Sequence, residues 1–109
     1  MAGSTNEAPI LDLLASMTAD SLEASTLDDR SLMLVRLAAL AAVDAPPFSY
    51  VLNLAAAADA GIDVEQVRGV LTAIAPIVGT PRVVSATGNI VEALDIALET
   101  AELDAEDEQ

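Results

Sequence analysis

Apolar positions along the chain recur every three to four residues, the period of a helix with one buried face, and strand-like alternation bounded by turn signals is hard to find. Ile10, Leu13, Leu14 and Met17 share a face, and Pro9 suits a first helical turn. This predicts a helix over residues 9–19, with residues 20–24 as a further short turn. Thr26 is a candidate cap for a second helix reaching Val43, with Asp28 and Asp29 in its first turn, where carboxylates complement the positive end of the helix dipole. Leu32, Met33, Leu34, Val35, Leu37 and Leu40 surround that helix on nearly every side, as expected of a segment buried by its neighbours. The stretch from Asp44 to Pro47 ends it.

A third helix is expected from Phe48 to Ala60, where four consecutive alanines permit close approach and Gly61 supplies the left-handed residue that commonly follows a helix. Asp63 and Gln66 have capping-box spacing. Val64, Val67, Val70, Leu71, Ile74 and Val78 then make the strongest amphipathic segment, with Pro76 kinking or ending it before Gly79. A short helix over residues 81–87, a break at Gly88, and a last helix capped by Asn89 with Glu92 complete the pattern. The expected fold class is all-α, about six helices in a single domain over residues 1–101, with an acidic, frayed tail over 102–109. No internal repeat is found.

Composition narrows the chemistry. The 109 residues include 18 acids and four arginines, for a net charge of −14, and taking away the tail's five carboxylates leaves −9 on the body. Apolar residues are 53% of the chain, and about 58% once the five glycines are counted, above the roughly 45–50% usual for soluble chains. That excess points to subunits sharing a core. There is no Cys, His, Lys or Trp. Disulfides, zinc–thiolate sites, thiol peroxidase chemistry, Schiff-base catalysis and imidazole general-base catalysis are therefore excluded. The negative potential and the scatter of Arg30, Arg36, Arg68 and Arg82 argue against nucleic acid and anionic membrane as partners. The longest apolar run, residues 32–43, is too short to span a bilayer and is interrupted by Arg36. Residues 1–6 lack a cationic segment leading into an apolar one, so a cytoplasmic location is expected. The acids at Asp28–Asp29 and in the tail are explained by helix-end and solvated roles, and no metal or other cofactor is expected.

The segment AAAADAGIDVEQVRGVLTAIAPIVGTPRVVSA, set between the apolar second helix and the last helix, resembles the carboxymuconolactone decarboxylase family. The likeness covers about residues 27–100 and rests on order and spacing: a helix ending in Gly, an acidic capping turn, an amphipathic helix, and Gly-x-Pro opening the next. It implies the alkylhydroperoxidase D-like helical bundle, assembled as a homotrimer or homohexamer. In the peroxidase branch the helix after the central one carries Cys-x-x-Cys-x-x-x-His. Counting back from Gly61 places those positions at Pro46, Ser49 and Asn53, and none matches. The decarboxylase branch also lacks the thiols but commonly keeps a His where Asn53 stands, and an amide hydrogen-bonds without exchanging a proton near neutral pH.

Four residues are candidates for ligand binding. Arg36, a guanidinium on an apolar helix, calls for a carboxylate partner or a bound anion. Ser49, Tyr50 and Asn53, within about one turn of each other, could offer polar groups to one cleft, or instead cap the helix, pack at an interface and bond across helices. Arg82 could meet an acid of another helix, whereas Arg30 and Arg68 read as surface residues. No catalytic residue is assigned. The two readings that follow are an oligomeric binding or scaffold protein of this family without its chemistry, and a cofactor-independent lyase, isomerase or hydrolase of a small carboxylated lactone or keto acid.

Overall fold

The computed structural model describes the backbone of residues 8–107 and the side chains through Glu99. Within that span the chain is all-helical, with five helices: α1 (Pro9–Ala24), α2 (Asp29–Ala42), α3 (Pro47–Asp59), α4 (Val64–Val78) and α5 (Thr80–Asp107). The helix starts show how local chemistry sets the boundaries. Pro9 and Pro47 open α1 and α3, where a missing N–H costs nothing. The cap of α2 is Asp28 and not the expected Thr26. The Asp28 Oδ1 accepts from the Ser31 amide at 2.7 Å, the geometry that satisfies a free first-turn donor. That bond holds the Asp28 carboxyl below its ordinary value, with the nearby Arg30 a minor contributor. At α4 the expected capping box is present in both directions, Asp63 Oδ1 accepting from Gln66 N at 2.9 Å and Gln66 Oε1 accepting from Asp63 N at 3.0 Å.

Two expectations are corrected. α1 continues through residues 20–24 as one helix. α4, as expected, ends at Val78 just before Gly79, with Pro76 in its last turn, where a proline removes only one bond of the ladder. α5 is a single helix through Gly88, which gives five helices where a break there would give six. Glycine weakens an exposed helical turn without forbidding it, and Asn89, expected as a cap, instead reaches across to the α2–α3 corner, its Nδ2 donating to the Ala45 carbonyl at 3.1 Å. Side chains of the acidic tail, and hence its expected fraying, lie outside the described residues.

α2 is the centre of the bundle, packed against α3, α4 and α5, and α3 in turn makes the most extensive contact with α5. Leu32, Met33 and Leu37 of α2 meet Tyr50 and Ala57 of α3 and Ile90 and Ala93 of α5 in one buried cluster that also takes in Ala45 and Ile62. The alanines at 41, 57, 86 and 93 are all but fully buried, and small side chains there let the helix backbones approach closely. α2 is not buried all round, because Val35 is exposed and Leu34 and Leu40 are half-buried. The α4–α5 corner is one residue, Gly79, at φ 90° and ψ 158°, a region open essentially to glycine alone. α1 stands apart: it has no buried residue and no extended contact with another helix. With α1 standing off and α5 extended, the radius of gyration is 15.8 Å, against about 13 Å for a compact chain of this size.

Candidate functional site

The sequence-predicted residues part company in the fold. Arg36 on α2 and Asn53 on α3 line one cavity of about 310 Å³, together with Thr18 of α1 and Ala39, Leu40 and Val43 of α2. Ser49 and Tyr50 lie outside its lining. Tyr50, about 100° round the helix from Ser49, turns into the core, and Ser49, one turn before Asn53 on the same face, meets it through its main-chain carbonyl.

Arg36 is half-buried, and among the described residues no carboxylate pairs with it. Neither does any described acid pair with Arg82. The four arginines thus have distinct environments: Arg68 forms an ion pair with Glu65 one turn earlier, and Arg30 donates to the Gly61 carbonyl at 3.4 Å, tying the start of α2 to the turn before α4. Asn53 is only partly free to act. Its Nδ2 donates to the Ser49 carbonyl at 2.9 Å, bonding back along its own helix and leaving Oδ1 as the atom that can address the cavity.

Tyr50 belongs to the core. Its side chain is fully buried and its hydroxyl has no hydrogen-bond partner among the described residues. Burial raises its pKa above the ordinary 10.0, and the negative charge of Asp44 raises it further. A neutral, enclosed phenol of this kind is a poor proton acceptor near neutral pH. Asp44 itself has a left-handed backbone, φ 57°, at the α2–α3 corner, and its carboxylate accepts from Ser85 Oγ of α5. Among the described residues, no three Asp or Glu side chains converge as a metal site would require, and no helix is long and apolar enough to cross a membrane.

The cavity is thus a space of small-molecule size with one cation, one amide oxygen, the Thr18 side chain and an apolar wall. It can hold and orient an anion, and it presents no group able to take up or deliver a proton near neutral pH. Two larger hollows are apolar and were not anticipated. One, of about 530 Å³, separates the Leu11, Leu14 and Leu22 row of α1 from Phe48 and Leu52 of α3. The other, of about 570 Å³, is a groove between α4 and α5 lined chiefly by Val67, Leu71, Ala75, Val83, Ile90 and Leu94. The apolar stripe of α4 was the signal for it: that stripe is wider than α2 covers, and no residue of α4 is fully buried. Compared with known proteins, the chain matches no family model, and no curated protein or solved structure is significantly similar to it.

Proposed function

We propose that the chain is a carboxymuconolactone decarboxylase-like protein with the alkylhydroperoxidase D-like bundle, working as a homotrimeric or homohexameric binding or scaffold protein and not as a catalyst. The observation that carries this reading is the apolar surface left uncovered by a single copy: all of α1 and the α4–α5 groove. Exposed apolar patches of this extent mark interaction sites in soluble proteins, and the composition already asks for more burial than one 109-residue chain provides. The family assignment rests on the sequence resemblance, with the Gly61, Asp63 and Gly79 turns in the expected order between helices. Light scattering on the purified protein at micromolar concentration tests it. A trimer or hexamer is expected, and a stable monomer defeats the reading.

Arg36, which no carboxylate pairs among the described residues, favours a second reading, a lyase, isomerase or hydrolase of a small carboxylated lactone or keto acid, with Arg36 holding the carboxylate and Asn53 orienting the reacting centre. Arg36→Leu and Asn53→Ala would then abolish turnover and leave the assembly size unchanged. Variants that only dissociate or unfold would assign both residues to structure.

A further inference from the structure

α1 is apolar over more of its circumference than its own chain uses. Placing residues at 100° intervals, Leu11, Leu14 and Leu22 form an inner row, which faces Phe48 and Leu52. Ile10, Leu13 and Met17 form an adjacent outer row at positions i, i+3 and i+7. They are 72%, 60% and 56% exposed and line none of the chain's cavities described above. The α4–α5 groove, which no residue of α1 lines, lacks an occupant of just this kind. Its α4 wall runs from Val64 to Ala75, about 17 Å at 1.5 Å per residue, long enough for the roughly 10 Å that the outer row spans.

From these two faces we infer that the outer row of α1 from one copy docks in the α4–α5 groove of the next copy. The inference rests on the oligomeric reading above and names the contact that builds the oligomer.

Charge selects this occupant. α1 carries Asp12, Asp20 and Glu23 and no cation. Such a helix is repelled by anionic lipid, so its exposed stripe is not that of a membrane-surface helix, which needs Lys or Arg on its polar face. It is equally repelled by most of this protein's own surface, at −14 overall. At the α4–α5 groove that repulsion is offset by Arg82, which stands one residue before Val83 at the groove's end and which no described acid pairs, while Arg68 in the lining is already ion-paired with Glu65. The contact joins two different patches, so it is head-to-tail, and such contacts repeat until a ring closes. Three copies related in this way give each groove one helix and each helix one groove.

The chain has no cysteine, so single cysteines introduced on each face report the contact without background. Met17→Cys and Thr72→Cys proteins, Thr72 being in the groove lining, are prepared separately, mixed to exchange subunits and treated with a short bismaleimide. A cross-linked species of twice the chain mass is expected from the mixture and not from either protein alone. In parallel, Leu13→Asp/Met17→Asp is expected to keep the far-UV helical spectrum of the wild type while falling to monomer by light scattering.

The cross-link decides the contact. If the wild type assembles and the mixture gives no cross-link, docking by α1 is overturned and the oligomeric reading stands. If the wild type is a monomer, both fall. If the Met17→Cys/Thr72→Cys double variant links within one chain, α1 folds onto its own groove and the head-to-tail contact is overturned.

Discussion

α1 and α2 are similar in length and both rich in leucine, yet α2 buries Leu32, Met33, Leu37 and Ala41 whereas α1 buries nothing. What separates them is the number of neighbours within the chain. α2 meets three other helices, and α1 meets none over any length. Amphipathicity records that a helix has a face to cover and not which chain covers it. The contrast divides the molecule into a part whose apolar face is covered within the chain and a part whose apolar face is left exposed.

The contrast breaks most visibly under truncation. Leu37 is 2% exposed, and Leu37→Ala is expected to lower unfolding free energy by about 3 kcal/mol, the cost of a lost buried side chain and the cavity it leaves. Leu13→Ala, by comparison, should leave the stability of an isolated copy within about 0.5 kcal/mol. Urea denaturation of each variant beside the wild type across a dilution series checks both, since only the Leu13→Ala difference from wild type should change with protein concentration.

Next in size is the α4 cap: Asp63→Ala should cost about 1 kcal/mol by releasing the Gln66 amide, measured as a shift in urea midpoint. Of similar size and opposite sign, Tyr50→Phe removes a buried hydroxyl without a partner and should stabilise the core by about 1 kcal/mol. The same phenol makes the fold sensitive to alkali. Its folded pKa is raised, so the unfolded chain gives up the proton first. Stability should begin to fall as pH passes the ordinary value of 10.0 and continue falling until the raised folded value is reached. Tyr50 is the only tyrosine. Tyrosinate absorbance should therefore rise together with loss of the helical signal, and the alkaline limb should shift to higher pH in Tyr50→Phe.

The smallest effect tests whether α5 is one helix. A Cβ at Gly88 meets nothing within 4 Å and its φ is not positive, so Gly88→Ala should raise the melting temperature slightly, worth about 0.5–1 kcal/mol. A helix break at this position would make the same change destabilising.

The helices most legible from sequence are those whose ends carry their own chemistry. Asp63 with Gln66, Gly61 and Pro9 each act through atoms of nearby residues, so spacing alone reveals them. Gly88 misleads because a glycine is read as a stop, and its meaning here is set by α2 and α3 alongside: Ala86, Ile90 and Ala93 are buried and hold the helix together across it. Thr26 loses the cap to Asp28 because the first turn begins at Asp29, two residues later than a cap at Thr26 implies, with Asp28 itself as the cap.

The site was less legible for the same reason. Ser49, Tyr50 and Asn53 are neighbours along α3, yet the packing of α2 and α5 sends Tyr50 into the core, while α1, unconnected to Arg36 by any pattern, contributes Thr18 beside it. The α4–α5 groove is a property of two helices and a one-residue corner, which no single window of sequence contains.

The clasp between the α2–α3 corner and α5 bears on how the protein is made. Asp44 binds Ser85 and Ala45 binds Asn89, partners 41 and 44 residues downstream, and the cluster around Leu37 and Tyr50 is closed by Ile90 and Ala93. During synthesis, the first four helices leave the ribosome before the segment that seals them. A nascent chain halted before residue 85 would expose the apolar sides of α2 and α3 to whatever else the cell offers, so the interval before α5 emerges is when this protein most needs a chaperone.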